Sequence, residues 1–307
     1  MTEHYKKTYD FFKEQGFVPL DDTSYPLLRT YSGYSLLQEM GAVMFVVWHY
    51  NYFGLYKVMR GYLCSVFFYE GREVYFTIHA PEKPEHPLAV IVERLADLCR
   101  KSGLPALQIK FVEERFLPEY ESLGPVETVC FDDNSEYAYK TSDLLDLSGP
   151  VNYYKRKRVK KIAAMEGVSL RPMTAANIRL CAEIEAEWCA YQDCAYCESF
   201  TGCERKAIEA FFDIFDDTIH KGLFLYLGEK PAGYIICEKI SEKLSFLYFG
   251  KANIQDGFVY LIYMMFKEHV TGVEYMNISE DMGHPGLRRF KRLLSAYELW
   301  RKHIVTF

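Results

Sequence analysis

Residues 275–294, YMNISEDMGHPGLRRFKRLL, hold the key to the chain. Apolar and polar side chains alternate over 273–278, the period of a strand with one covered face. Two acids follow, Glu280 and Asp281, and then the turn residues Gly283, His284, Pro285 and Gly286. A helical run with Arg288, Arg289 and Lys291 closes the stretch. Residues 107–123, LQIKFVEERFLPEYESL, pass through the same parts: a strand, the acid pair Glu113 and Glu114, and a helix. Two such stretches about half a chain apart predict an internal repeat.

Working outward, residues 174–191 read as a helix opened by Thr174, with an apolar stripe that includes Cys181, Ile184 and Trp188. A second helix is expected over 203–220. Runs at 223–227, 232–240 and 244–251, parted by turns at 228–231 and 241–243, predict an antiparallel meander. A helix at 257–269, the strand 273–278, a helix at 286–294 and a last strand near 296–306 complete the half. The first half repeats this more roughly. Strands at 62–69 and 73–79 flank a turn at Glu70, Gly71 and Arg72, followed by a helix at 87–101 and strands at 106–112 and 125–131. Meander, helix, strand, helix, strand is the order of the acetyltransferase-like (GNAT) fold. The prediction is an α+β chain of two tandem GNAT domains, residues 1–147 and 148–307, joined by a basic helix at about 150–165. The length of 307 residues suits two domains.

Half of the residues are hydrophobic, enough for full cores, and the net charge is −6, which gives no reason to expect DNA as a partner. The longest apolar runs, 42–48 and 258–266, are too short to cross a bilayer, and the first residues lack the apolar stretch of a secretory signal. A cytoplasmic protein without a transmembrane segment is the expectation. Nine cysteines, an odd number, point to reduced thiols. Cys189, Cys194, Cys197 and Cys203 crowd together, but Cys189 falls on the predicted helix and only Cys194 and Cys197 have the spacing of a zinc pair, so no metal is expected. Signatures of metalloproteases, serine hydrolases, P-loops and dinucleotide sites are absent from the sequence.

The pattern N-x-x-E-D-x-G-x-x-G-L-R-x-x-K, here Asn277, Glu280, Asp281, Gly283, Gly286, Leu287, Arg288 and Lys291, resembles a motif of the phosphatidylglycerol lysyltransferase C-terminal-domain family. Leu147 and Gly149 before the basic run 155–161 resemble the element that precedes it. The likeness covers roughly residues 20–307. It implies a tandem GNAT chain akin to the Fem transferases, whose characterised relatives move an aminoacyl group from a charged tRNA onto a lipid head group. Family members often follow the motif lysine with Ser-Tyr and a proline; here Arg292 to Tyr297 intervene and no proline follows.

Acyl-CoA enzymes of this fold seat pyrophosphate on backbone N–H groups at a helix start, a cradle that wants several glycines. At the two corresponding junctions, KANIQDGFVY offers only Gly257 beside Asp256, and HAPEKPEHPL offers three prolines without N–H donors. Acetyl-CoA is therefore disfavoured, and no cofactor is expected. An aminoacyl-tRNA donor asks instead for cations to hold phosphates. KRKRVKK, 155–161, has six cations in seven residues, Arg156 and Arg158 among them, and leaves a net −12 elsewhere. The same run also suits a solvated helix face with Val159 and Ile162 inward. Glu280 or Asp281 suits a general base, with Asn277 donating to a carbonyl oxygen and Arg288 and Lys291 gripping a phosphate or carboxylate. The alternative is structural: both acids brace the turn and pair with Arg288 and Lys291. A transferase with its site near 277–291, a binding protein on the same scaffold, and a CoA-dependent acetyltransferase are the three functional readings.

Overall fold

The computed structural model describes residues 3–48, 52–69, 73–192 and 203–307. They form two compact units, Met1–Ser135 with Trp300–Phe307, and Glu136–Leu299. The chain thus parts at 135/136 rather than 147/148, and its last residues return to the first unit. The turn at Glu70, Gly71 and Arg72, and Cys194 and Cys197, lie outside the described residues.

In the first unit, strands β1 (Val18–Pro19), β2 (Tyr52–Met59), β3 (Tyr62–Tyr69), β4 (Glu73–His79), β5 (Gln108–Glu113) and β6 (Glu127–Cys130) join the chain's last strand, β14 (Lys302–Thr306). The sheet order is β1-β2-β3-β4-β5-β14-β6, with β4 and β5 parallel. Helices α1 (Glu3–Glu14), α2 (Tyr25–Ser32), α3 (Ala42–Val47), α4 (Leu88–Ser102) and α5 (Leu117–Glu121) complete it. α4 buries Leu88, Ile91, Val92, Leu95, Leu98 and Cys99, the three-and-four spacing of one helical face. It ends at Gly103, left-handed at φ +80°, where the Leu104 N–H reaches back to the Cys99 carbonyl. That face closes a core with Phe12, Phe68, Phe76, Ile109 and Val305.

The second unit runs through β7 (Glu136–Lys140), α6 (Thr141–Leu145), α7 (Tyr153–Ala163), β8 (Val168–Pro172), α8 (Leu180–Gln192), α9 (Glu204–Phe211), β9 (His220–Leu227), β10 (Lys230–Lys239), β11 (Leu244–Ala252), α10 (Gly257–Met264), β12 (Tyr275–Asn277), α11 (Pro285–Leu294) and β13 (Glu298–Trp300). Its sheet order is β13-β7-β12-β11-β10-β9-β8, with β11 and β12 parallel. The meander is as expected, and so are α10, β12 and α11. Along β10 the side chains alternate: Ile235 and Cys237 join the core with Ile262, Phe266 and Val159, while Tyr234 meets α8 on the other face.

Three differences from the sequence reading have physical causes. α9 stops at Phe211, short of 220: the Ile214 N–H turns back to the Phe211 carbonyl, and farther on the Asp216 carboxylate accepts the Thr218 N–H at 2.8 Å in a local turn that competes with helix. The last strand is two, β13 and β14, in different sheets. The repeat also exchanges its ends. The last strand of the first half, β7, lies between β12 and β13, and the last strand of the second half, β14, lies between β5 and β6.

Candidate functional site

β12 pairs antiparallel with β7, Asn277 opposite Ala138, and the ladder continues to the Tyr137–Ile278 level. Ser279 then takes φ +62°, Met282 φ +51° and Gly283 φ +71°. Two non-glycine residues in the left-handed region within four positions store backbone strain at the strand mouth. Gly286 is not at positive φ, and a Cβ there would meet only the His284 ring at ordinary distance, so Gly283 alone is required by the turn. His284 caps α11, its Nδ1 accepting the Leu287 N–H.

Asp281 is 2% exposed. Its Oδ2 accepts from the Tyr137 hydroxyl at 2.7 Å and from Arg288 Nε at 2.8 Å; its Oδ1 accepts from Arg288 Nη2 at 2.8 Å and from the Gly283 N–H at 2.9 Å. Arg288, then Tyr137 and the Gly283 N–H, hold the carboxyl down at about 2 against the opposing effect of burial. Such a carboxylate is a weak base at neutral pH, and both its oxygens are committed. Asn277, fully buried, donates to Glu136 Oε2 at 2.5 Å and accepts the Ser279 N–H at 2.8 Å, so it is held within the protein instead of facing a substrate. Lys291 is buried under the turn, its Nζ donating to the carbonyls of Ile278 (2.8 Å), Ser279 (3.0 Å) and Glu280. It serves the backbone, not an outside anion. Glu280 remains as the half-buried acid of the pair.

The same device occurs in the first unit. Phe111 takes φ +60°, and two residues later Glu113, 7% exposed, accepts from the Ser35 hydroxyl at 2.7 Å and the Leu36 N–H at 3.0 Å and pairs with Arg115 at 2.6 Å. In each unit, a left-handed residue at or near the end of the parallel strand after the crossover helix is followed two positions on by a buried acid paired with an arginine.

The basic run is α7. Lys155 is buried on the Asp143 carbonyl, and Arg156 Nη1 donates to the carbonyls of Leu147 (2.5 Å) and Gly149 (2.9 Å). Arg158 and Lys161 pair with Asp256 at 3.2 and 3.0 Å. Arg156 and Arg158, expected to hold phosphate, are thus tied to the protein; Lys157 and Lys160 face solvent. Asp256, at φ +71°, precedes α10, so a carboxylate already neutralised by two cations stands at that helix start. A Cβ on Gly257 would come within 3.0 Å of Ile254, Ala252 and Leu225, so this glycine answers to packing.

α11 carries its other cations outward. Pro285, Arg288, Arg289, Arg292 and Leu293 share one open face of the helix, and Arg288 lies on it with its Nε and Nη2 anchored on Asp281. Sequence reasoning singled out Arg288 but gave Arg289 and Arg292 no role. It also passed over Glu185, Tyr234, Lys251 and Glu204, which cluster across the other face of the sheet. Their one local signal is an acid, Glu185, on the same helical stripe as Cys181, Ile184 and Trp188. Cys189 is a half-buried thiol and Cys203 a buried one, and no group of three metal-ligating side chains occurs among the described residues. No helix among them is long and apolar enough to cross a membrane.

The Asp281 geometry makes an acid-range prediction. A depressed carboxyl contributes stability that is present above its ordinary value near 3.8 and is lost as pH falls through about 2. Asp281→Asn should therefore lower the melting temperature at pH 7 and flatten its decline between pH 4 and pH 2. Parallel acid limbs for the two proteins would mean that the carboxyl is not depressed.

Comparison with known proteins agrees with this architecture. A conserved protein of unknown function from Bacteroides thetaiotaomicron superposes with a TM-score of 0.84 at 19% identity, over 95% of this chain and 99% of that one. The L-PGS of Bacillus licheniformis superposes at 0.66 with 13% identity, over 94% and 92%. FemX does so at 0.60 with 11% identity, over 92% and 95%. The fold is the tandem GNAT fold. No curated relative matches the sequence. The family described as phosphatidylglycerol lysyltransferase, C-terminal, matches residues 43–297, and on that match the chain belongs to this family.

Proposed function

We propose that the protein is an aminoacyl transferase, carrying an aminoacyl group from a charged tRNA to a lipid head group or another small acceptor. The observation that carries this reading is the open face of α11, where Arg289 and Arg292 stand beside an Arg288 that a buried carboxylate orients. An oriented guanidinium with two more beside it suits the phosphates of a tRNA end or a lipid head group. Family membership supports the same chemistry. In the reaction, an acceptor hydroxyl or amine attacks the aminoacyl ester carbonyl. The tRNA ribose oxygen leaves, and the proton lost by the acceptor ends on that oxygen. Glu280 is the acid of the pair suited to pass it, and Asp281 is a positioning residue acting through Arg288. At the start of α10, Arg158 and Lys161 are taken up by Asp256 and a single, packed glycine makes the junction, an arrangement unlike a glycine-rich pyrophosphate cradle, which disfavours coenzyme A as the donor.

A non-catalytic binding protein is the second reading, favoured by the burial of Asn277 and Asp281. Incubation with tRNAs charged with labelled amino acids, together with phosphatidylglycerol vesicles or small hydroxyl and amine acceptors, separates the two. Label leaving tRNA for an acceptor is expected, and Arg289→Ala with Arg292→Ala should cut it by about tenfold or more, the worth of one charge-assisted hydrogen bond. Binding of charged tRNA without transfer would favour the second reading. Acetylated product from acetyl-CoA, with no transfer from any tRNA, would overturn both.

A further inference from the structure

On the face of the second sheet opposite α10, α8 directs Glu185 at β10 and β11. Glu185 is 1% exposed. Its Oε1 accepts from the Tyr234 hydroxyl, while its Oε2 accepts no hydrogen bond and stands 3.6 Å from Lys251 Nζ. Lys251, itself buried, pairs with Glu204 Oε2 and lies 4.3 Å from the Trp188 ring centroid. One ammonium thus faces two carboxylates. The groups around Glu185 come from four elements: Tyr234 of β10, Lys251 of β11, Glu204 of α9, and Cys181 of its own helix α8. Burial and then the Glu204 charge push the Glu185 carboxyl up to about 7, against the pull of Lys251. Burial and the two acids push the Tyr234 hydroxyl well above its ordinary value, so it stays a donor throughout.

The two carboxylates are not equivalent. Glu185 is sealed in, whereas the Glu204 side chain is 36% exposed and belongs to the first residue of α9. With Glu185 neutral, Lys251 and Glu204 form a balanced pair. With Glu185 ionised, the site holds an excess negative charge, and the carboxylate that reaches water at least cost is Glu204. We propose that Glu185, Lys251 and Glu204 form a proton-operated latch that holds the first turn of α9 against the sheet and releases it when Glu185 loses its proton. One proton leaves per opening, and no other reactant is needed. The latch lies on other elements than the α11 arginines and does not depend on the transferase reading.

Two readouts need no substrate. Emission of Trp188, which lies against the Lys251 ammonium, follows the change in local field and in Lys251 pairing when Glu185 ionises, and hydrogen exchange of the 204–211 amides, corrected for the intrinsic effect of pH, follows the release of α9. Between pH 5.5 and 8.5 both should report a one-proton transition around neutrality. The corrected exchange should rise about tenfold across it, as local opening becomes easier. Glu185→Gln should abolish the transition and keep α9 protected throughout. Glu204→Gln, at a more exposed position, should move the emission midpoint down by about one unit or more, since it removes a repelling charge and leaves Lys251 to Glu185 alone. A transition that survives in Glu185→Gln, an α9 equally protected at both ends of the range, or a midpoint unmoved in Glu204→Gln would each overturn the latch.

Discussion

Lys291→Met should lower the melting temperature of the second unit by about 10 °C. The methionine keeps the apolar stem but deprives three consecutive carbonyls, Ile278 to Glu280, of the ammonium that donates to them. The Ser279 carbonyl keeps the Tyr137 N–H as a second donor, but breaking a buried charged interaction still costs about 3–5 kcal/mol in all. At roughly 2–4 °C per kcal/mol for a domain of this size, a shift of about 10 °C follows. The ammonium also lies 5.4 Å from the Tyr137 ring centroid, an attraction that a neutral side chain does not supply. Arg289→Met, an exposed residue two positions earlier on the same helix, is the control and should shift melting by no more than about 2 °C, the usual range for a surface change. If the two variants melt together, Lys291 is not the brace of the strand mouth.

Deleting residues 301–307 should unfold the first unit and leave the second folded. β14 is the pairing partner of β6 and lies between it and β5. Val305 is fully buried, and Lys302 pairs with Glu39 in the same unit. Without this strand β6 has nothing to join, the backbone groups of β5 lose a ladder, and the core has an open side. Limited proteolysis should then yield a resistant fragment close to residues 136–299 and digest everything before it. A resistant fragment covering residues 3–135 would show that the first unit closes without its borrowed strand. Val305→Asp tests the same point in the full chain, since an unpaired carboxylate has no favourable place in that core.

Much of the secondary structure was legible because it rests on local periodicity. The meander at β9 to β11, the helix α4 and the strand–acids–turn–helix order of 275–294 all follow from spacing alone. The exchange of β7 and β14 was not, because alternation says that a segment is a strand and which face it covers, not which sheet it joins. The 277–291 residues were found for the same local reason, yet their roles turned on partners that spacing does not encode. Asp281 is committed by Tyr137, 144 residues away in sequence, and Asn277 by Glu136, 141 residues away. Arg156 looked available for phosphate, but the carbonyls it holds belong to the turn just before its own helix. The Glu185 cluster joins positions 47 and 49 residues apart on separate elements, and only the acid on an apolar stripe hinted at it.

The placement of β14 also sets an order of events during synthesis. Domains commonly fold as they leave the ribosome, the N-terminal one first. Here the N-terminal unit emerges first but lacks the strand that joins β6 to β5 until residues 302–306 have come out. The unit at 136–299 is continuous in sequence, so all its strands are available earlier. The part of the protein made first is therefore the part finished last, and for most of translation it exposes the edges of β5 and β6. A cell that makes this chain must protect that open sheet until the final strand arrives.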